Sequence, residues 1–257
     1  MKNKLKIAIV SNMLNVNLYI ESSSFYSNLF PKFEIINVYG KNKLFGLKFF
    51  HHIIQTLFDY DWIIVVDEDC FITNQKALID LLQHQIDNNI DCSGMPDGGV
   101  ISHRDYNPVA INPYFTILNL KKIRSIYNKK AIDNTRYTPE LKKHAPTHLF
   151  KKKFDASSYP TMQKLPKRKA FGVKYKDNEP YYKLFFWMLK NGLKFLYLDA
   201  YNYDNGDEFT TILKNHEGVD FAYHTWYARE YNGKHKSRID NIIKIAHEES
   251  RRNISQS

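Results

Sequence analysis

The sequence predicts an α/β fold: a mostly parallel central sheet flanked by helices, with a basic insertion over residues 121–174 and a helical tail over residues 232–257, within one domain spanning 1–257. Three observations predict it. Strand-like apolar runs alternate with amphipathic helical stretches through about the first ninety residues, the pattern of a doubly wound sheet. The run Trp62-Ile63-Ile64-Val65-Val66 is short, continuous and rich in β-branched residues, as a strand buried on both faces should be. A chain of 257 residues, 43% hydrophobic and 25% charged, can also bury a sizeable core.

Taken in order, Leu5 to Val10 reads as the first strand and Ser11 to Asn17 as its exit loop. Lysines precede that apolar run, but the run is too short for a signal-peptide core and has no small-residue cleavage site. A helical stretch around Tyr19 to Leu29 and a strand from Phe33 to Gly40 complete a β-α-β unit. Lys43 to Leu57 reads as helix, with Leu47, Phe50, Ile54 and Leu57 at three- and four-residue spacing. His51 and His52 are adjacent, cannot share a helix face, and are assigned to core or surface. Thr73-Asn74 caps a helix from Gln75 to Asp87 whose Leu78, Leu81, Leu82 and Ile86 form an apolar stripe. Asp91 to Val100 is glycine-rich, and Val109 to Leu120 is strand-like. Beyond the basic insertion, Pro180 suits the first position of a helix that Asn191-Gly192 closes. Leu193 to Asp199 then returns as a strand, and Val219 to Glu230 reads as a last strand and loop. In the tail, Ile239, Ile242, Ile243 and Ala246 share one helical face, which is expected to dock on the rest of the chain rather than lie in a membrane surface.

The strand at Trp62 to Val66 stops abruptly at Asp67-Glu68-Asp69. Ligands of open α/β sheets bind beyond the carboxyl ends of the strands. Alternation along an extended segment sends Asp67 and Asp69 to one side and Glu68 to the other. Two such carboxylates make a hard-oxygen half-site for Mg²⁺ or Mn²⁺, completed by diphosphate oxygens and water. An apolar strand ending in Asp-X-Asp resembles the metal and nucleotide motif of GT-A glycosyltransferases, and the element order over residues 5–120 and 175–230 is similar to that family's. The resemblance implies a GT-A-like (Rossmann-like) catalytic domain that moves a sugar from a nucleotide-diphosphate sugar, with a UDP-sugar the expected donor. The acceptor would be a hydroxyl of a glycan or lipid-linked molecule. It also implies Mn²⁺ or Mg²⁺ on Asp67, Asp69 and His224. Donor contacts would come from Ser11 and Asn12 at the base and ribose, Lys43 or Lys48 together with Arg229 at the phosphates, and Asp97 and Asn112 at the sugar hydroxyls, with Glu68 also on the donor. Asp177 and Glu179 are the candidates, Glu179 preferred, to take the acceptor's proton in an inverting reaction; in a retaining one the same acid would only hold hydroxyls. The setting implied is bacterial surface polysaccharide or lipooligosaccharide synthesis, in the cytoplasm and peripheral to the inner face of the cell membrane.

The formal net charge of +10 is concentrated in one stretch. Residues 121–174 hold 16 Lys or Arg against Asp133, Glu140 and Asp155, a local balance of +13 that leaves the remainder near −3. Lys151-Lys152-Lys153 and Lys167-Arg168-Lys169 sit there among Pro, Tyr, Phe and His, which reads as a partly irregular, exposed lobe suited to an anionic membrane surface or an acidic acceptor. Nucleic acid is not an expected partner. No window approaches the roughly 20 apolar residues of a membrane span. Cys70 and Cys92 form no CxxC pair and suit a reduced cytosol. The absence of Gly-X-Gly-X-X-Gly after the first strand and of Gly-X-X-X-X-Gly-Lys anywhere argues against dehydrogenase and P-loop readings. A metal-dependent nucleic-acid-processing enzyme would also pair acids with a basic lobe and stands as the alternative. So does a sugar nucleotidyltransferase, although Ser11 to Asn17 lacks the Gly and Arg its first loop would need.

Overall fold

The computed structural model describes residues 5–27, 33–40, 43–98, 100, 106–146, 149, 175–203, 207 and 209–255. The chain opens with β1 (Ile7–Met13), α1 (Val16–Ser27), β2 (Glu34–Tyr39), α2 (Leu47–Thr56), β3 (Trp62–Val66), β4 (Cys70–Ile72) and α3 (Gln75–Asp87). It continues with β5 (Cys92–Pro96), β6 (Ile111–Asn119), α4 (Leu120–Ile126), α5 (Lys129–Asn134) and a 3-10 turn at Pro139–His144. The last part holds α6 (Tyr182–Lys190), β7 (Phe195–Tyr197), β8 (Ala200–Asn202), β9 (Thr211–Lys214), β10 (Asp220–His224) and α7 (Lys236–Ser255).

The larger sheet has six strands in the order β2-β1-β3-β6-β5-β7, and β6 alone runs against the others. The smaller sheet, β4-β10-β9-β8, is antiparallel throughout. Every residue of β3 is buried, and its alternation divides them between two cores. Ile63 and Val65 join Phe50, Ile53 and Ile54 of α2 and Phe185 of α6. Trp62, Ile64 and Val66 join Leu78 and Leu81 of α3 and Phe221 of β10. Asn74 caps α3 by accepting the Ala77 N–H at 3.0 Å. The tail helix α7 docks as expected, burying Ile239, Ile242, Ile243 and Ala246. No helix among the described residues is long and apolar enough to cross a membrane.

Four expectations need correction. The first strand runs on to Met13, so Ser11 and Asn12 belong to it rather than to the exit loop. The glycine-rich stretch contains β5, where a Cβ on Gly94 would stand 2.7 Å from the Phe115 carbonyl oxygen of β6, so close strand approach requires that glycine, while Gly98 just beyond holds a left-handed φ of 78°. The run Val109 to Leu120 is the strand β6, but its reverse direction is not legible in the sequence, and the short β4, β8 and β9 carry too few residues to announce themselves. The described part of the basic insertion is helical rather than irregular: Ile123, Ile132 and Leu141 are buried, and Arg124 donates to the carbonyls of Leu57 (2.8 Å) and Tyr60 (2.7 Å) beyond the end of α2. Both lysine clusters of that insertion, Lys151–Lys153 and Lys167–Lys169, lie outside the described residues.

Removing side-chain volume at the centre of β3 should be costly. Ile64→Ala is expected to lower unfolding stability by roughly 2–5 kcal/mol, against about 0.5 kcal/mol or less for Ile79→Ala on the exposed face of α3, both read by urea denaturation.

Candidate functional site at the acidic turn

Asp67, Glu68 and Asp69 form the link between the two sheets, because β3 ends at Val66 and β4 begins at Cys70. Both sheets hold the link through its backbone. The Asp67 N–H donates to the Tyr114 carbonyl of β6 at 2.8 Å, and the Asp69 carbonyl accepts the Thr225 N–H beyond β10 at 3.0 Å. Antiparallel pairing sets His224 of β10 opposite Cys70 of β4. The His224 ring therefore faces Asp69, with Nε2 3.4 Å from Oδ2. Tyr114 stacks on the other side of that ring at 3.8 Å between centroids and 7° between planes. Next to this pair, Trp226 and Tyr227 both hold left-handed backbone angles, φ 37° and 68°, a strained arrangement for bulky side chains. Arg238 of α7 braces it, donating to the carbonyls of Thr225 and Trp226 while meeting Asp207 and Thr210.

These groups open into a cleft of about 1390 Å³ at the carboxyl edge of the larger sheet. Of the residues expected at the site, Asn12, Asp67, Glu68, Asp69, Asn112, Glu179, His224 and Arg229 line it. A second cavity of about 690 Å³ adjoins it, between the loops that follow β1 and β2; Lys43 and Arg229 line its wall with Asn15, Asn17 and Phe45. Asn12 Oδ1 is buried without a hydrogen-bond partner, in space that a side chain on Gly40 would take, since a Cβ there would come within 2.5 Å of it.

Three of the expected residues sit elsewhere. Ser11 is buried, its hydroxyl 3.0 Å from the Tyr26 hydroxyl. Asp177 is exposed and accepts the Tyr137 N–H at 2.7 Å, with Arg136 nearby. Asp97 is fully buried and bonded to Asn112, Tyr181 and Tyr182, behind the cleft rather than in it. Glu68 is at the cleft wall, but its carboxylate accepts the N–H groups of Leu14 (2.7 Å) and Asn15 (3.2 Å), so it ties down the start of α1. His51 is a wall residue held between Tyr127 and Asp133, both at 2.8 Å. Tyr114, Trp226 and Arg238 were not singled out from the sequence. Only the Trp226-Tyr227 pair, separated from His224 by Thr225 alone, offered a local signal.

Burial dominates the electrostatics of the turn. It pushes the Asp67 carboxyl well above the usual carboxylate range, helped by the charges of Asp69 and Glu68 and opposed by Arg229. Burial also acts to raise Asp69, but attraction and hydrogen bonding to His224, with N–H groups of its own backbone and of Ala228, hold it below its ordinary value. Among the described residues no three His, Cys, Asp or Glu side chains converge into a metal cage. What the site offers is a pair, a carboxylate from Asp69 and an imidazole from His224. Their 3.4 Å separation exceeds the roughly 2.7–2.9 Å of a tight charge-assisted bond, and His224 Nδ1 is buried without a partner. A divalent ion held at this pair would need its remaining ligands from phosphate oxygens and water.

Burial raises the Glu68 carboxyl to about 7 from 4.5, against the pull of its bonds to Leu14 and Asn15. The folded chain thus holds that proton more tightly than the unfolded chain does. The linked stability is full below the unfolded value and is lost as pH rises through the folded one. Thermal unfolding of wild type and Glu68→Gln at about pH 5 and about pH 8 should show a smaller fall with pH in the variant.

No family model matches the chain, and no curated protein matches it by sequence. Among solved structures it is similar to a glycosyltransferase involved in the glycosylation of the major capsid of PBCV-1, at 13% identity and a TM-score of 0.34, over 66% of this chain and 81% of that one. It is also similar to A197 from STIV, at 12% identity and a TM-score of 0.33, over 50% of this chain and 71% of that one. At these values the similarity carries no argument about chemistry, and the site's own residues have to supply it.

Proposed function

We propose that the chain is a metal-assisted glycosyltransferase that moves a sugar from a nucleotide-diphosphate sugar to a hydroxyl of a glycan or lipid-linked acceptor. The observation that carries the reading is the Asp69–His224 pair, with Asp67 beside it, opening into a cleft that Glu179 also lines. The cleft, at about 1390 Å³, is larger than a single small-molecule site of roughly 300–1,000 Å³ requires, which suits two substrates. In this reading the nucleoside occupies the adjoining cavity, near Asn15, Asn17 and Phe45, while Lys43 and Arg229 attract the diphosphate. Asp69 and His224, with Asp67, would hold the metal, which when bound offsets negative charge on the departing diphosphate. Glu179 takes the proton from the acceptor hydroxyl as its oxygen bonds to the anomeric carbon. The bond from that carbon to the phosphate oxygen breaks, and its electron pair leaves with the nucleoside diphosphate. A UDP-sugar is the preferred donor. Surface-glycan assembly at the cytoplasmic face of a membrane is the proposed setting, and the apolar face of α7 is already engaged with the core, so contact with lipid would fall to basic side chains.

The reading is tested by donor hydrolysis across UDP-, GDP-, dTDP- and CMP-sugars, with and without Mn²⁺, for wild type and Asp69→Ala. One donor should turn over only with metal, and the variant should lose on the order of 10³-fold in rate. If no donor is bound or hydrolysed, and the protein instead binds nucleic acid in a salt-sensitive way, the proposal is wrong.

A further inference from the structure

Behind the cleft, the carboxyl of Asp97 is the hub of a buried hydrogen-bond network. It lies just past the end of β5, fully buried, and accepts from Asn112 Nδ2 at 2.6 Å, from the Tyr181 hydroxyl at 3.0 Å and from the Tyr182 hydroxyl. Asn112 is the second residue of β6, and the two tyrosines stand at the N-terminus of α6, so one carboxyl joins elements distant in sequence. Asn112 and Tyr181 also line the cleft. The network continues through Asn107, whose backbone N–H donates to the Tyr182 hydroxyl at 3.3 Å and whose Nδ2 donates to the Lys176 carbonyl at 3.1 Å. The segment carrying Glu179 is therefore tied down on both sides, at Lys176 and at Tyr181-Tyr182. An apolar residue would fill the space without burying a group whose oxygens must all be satisfied. Only a carboxyl accepts from three directed donors here at once.

We infer that Asp97 is a positioning residue: without touching substrate, it sets Glu179, through the start of α6, and the Asn112 amide at the angles the transfer needs. This rests on the proposed role of Glu179. Asp97→Asn puts an NH₂ where an oxygen accepted, so at least one tyrosine hydroxyl loses its acceptor and the tie between the start of α6 and Asp97 is weakened. The expected result is a fall in kcat of roughly 10–100-fold with the donor KM changed by about twofold or less. Tyr181→Phe removes one bond of the network and keeps the test open should Asp97→Asn fold poorly; a smaller fall in kcat with the same unchanged KM is expected. Leu81→Ala, a core truncation away from the network, should leave kcat per folded molecule as in wild type. If Glu179→Gln abolishes transfer while Asp97→Asn and Tyr181→Phe lose activity only in proportion to the unfolded fraction, Asp97 is merely structural and the inference fails alone. If Glu179→Gln leaves transfer intact, the assigned base is wrong and the inference falls with it.

Discussion

Three acidic residues span the gap between two sheets, and that constraint governs the rest of the molecule. A turn this short, with its backbone committed to Tyr114 on one side and Thr225 on the other, cannot swing its carboxylates away from the seam. Their directions are set by where the sheets lie, which is the rigidity a preorganised site requires. The same seam brings in His224 without any feature of its own, because the register of β10 on β4 delivers it beside Asp69. The cleft follows as well, since the carboxyl ends of β1, β2 and β3 and the start of the reversed β6 all reach this edge.

Gathering acids at a buried seam is unfavourable unless something offsets it. Glu68 is answered by two backbone N–H groups, Asp69 by His224 and two more, and Asp67 by the field of Arg229. The turn that carries Arg229 adds a second strain, two bulky residues in left-handed conformations, which persists because Arg238 holds the carbonyls leading into it. Local rules are broken here and obeyed nearly everywhere else, as expected where function opposes stability.

What could be read from the sequence was what local pattern encodes. The buried β3, the acidic stop, the Asn74-capped helix and the docked tail each carry a period or a cap within a dozen residues or so, and each stands in the structure. Of the smaller sheet only β10 showed itself, because strands such as β4 (Cys70–Ile72) and β8 (Ala200–Asn202) are too short to display alternation. Ser11 was misplaced because the apolar run of β1 passes into polar residues before the strand ends. Asp97 was expected at the sugar only because the GT-A resemblance implies a contact in this stretch. Nothing near it in the sequence announces that Tyr181 and Tyr182 will close over it. The Tyr114–His224 stack is likewise a product of sheet topology alone.

The final helix bears on how the gene can tolerate change. Through Arg238 it grips the strained turn, through Glu249 it meets the Tyr223 hydroxyl, and through Asn253 it reaches the Thr73 carbonyl at 3.0 Å. Loss of the Arg238 side chain alone would leave the acids and the larger sheet in place yet unfasten the loop that faces them. This helix is therefore inherited as part of the site, and a mutation in it can look catalytic although none of its residues lines the cleft.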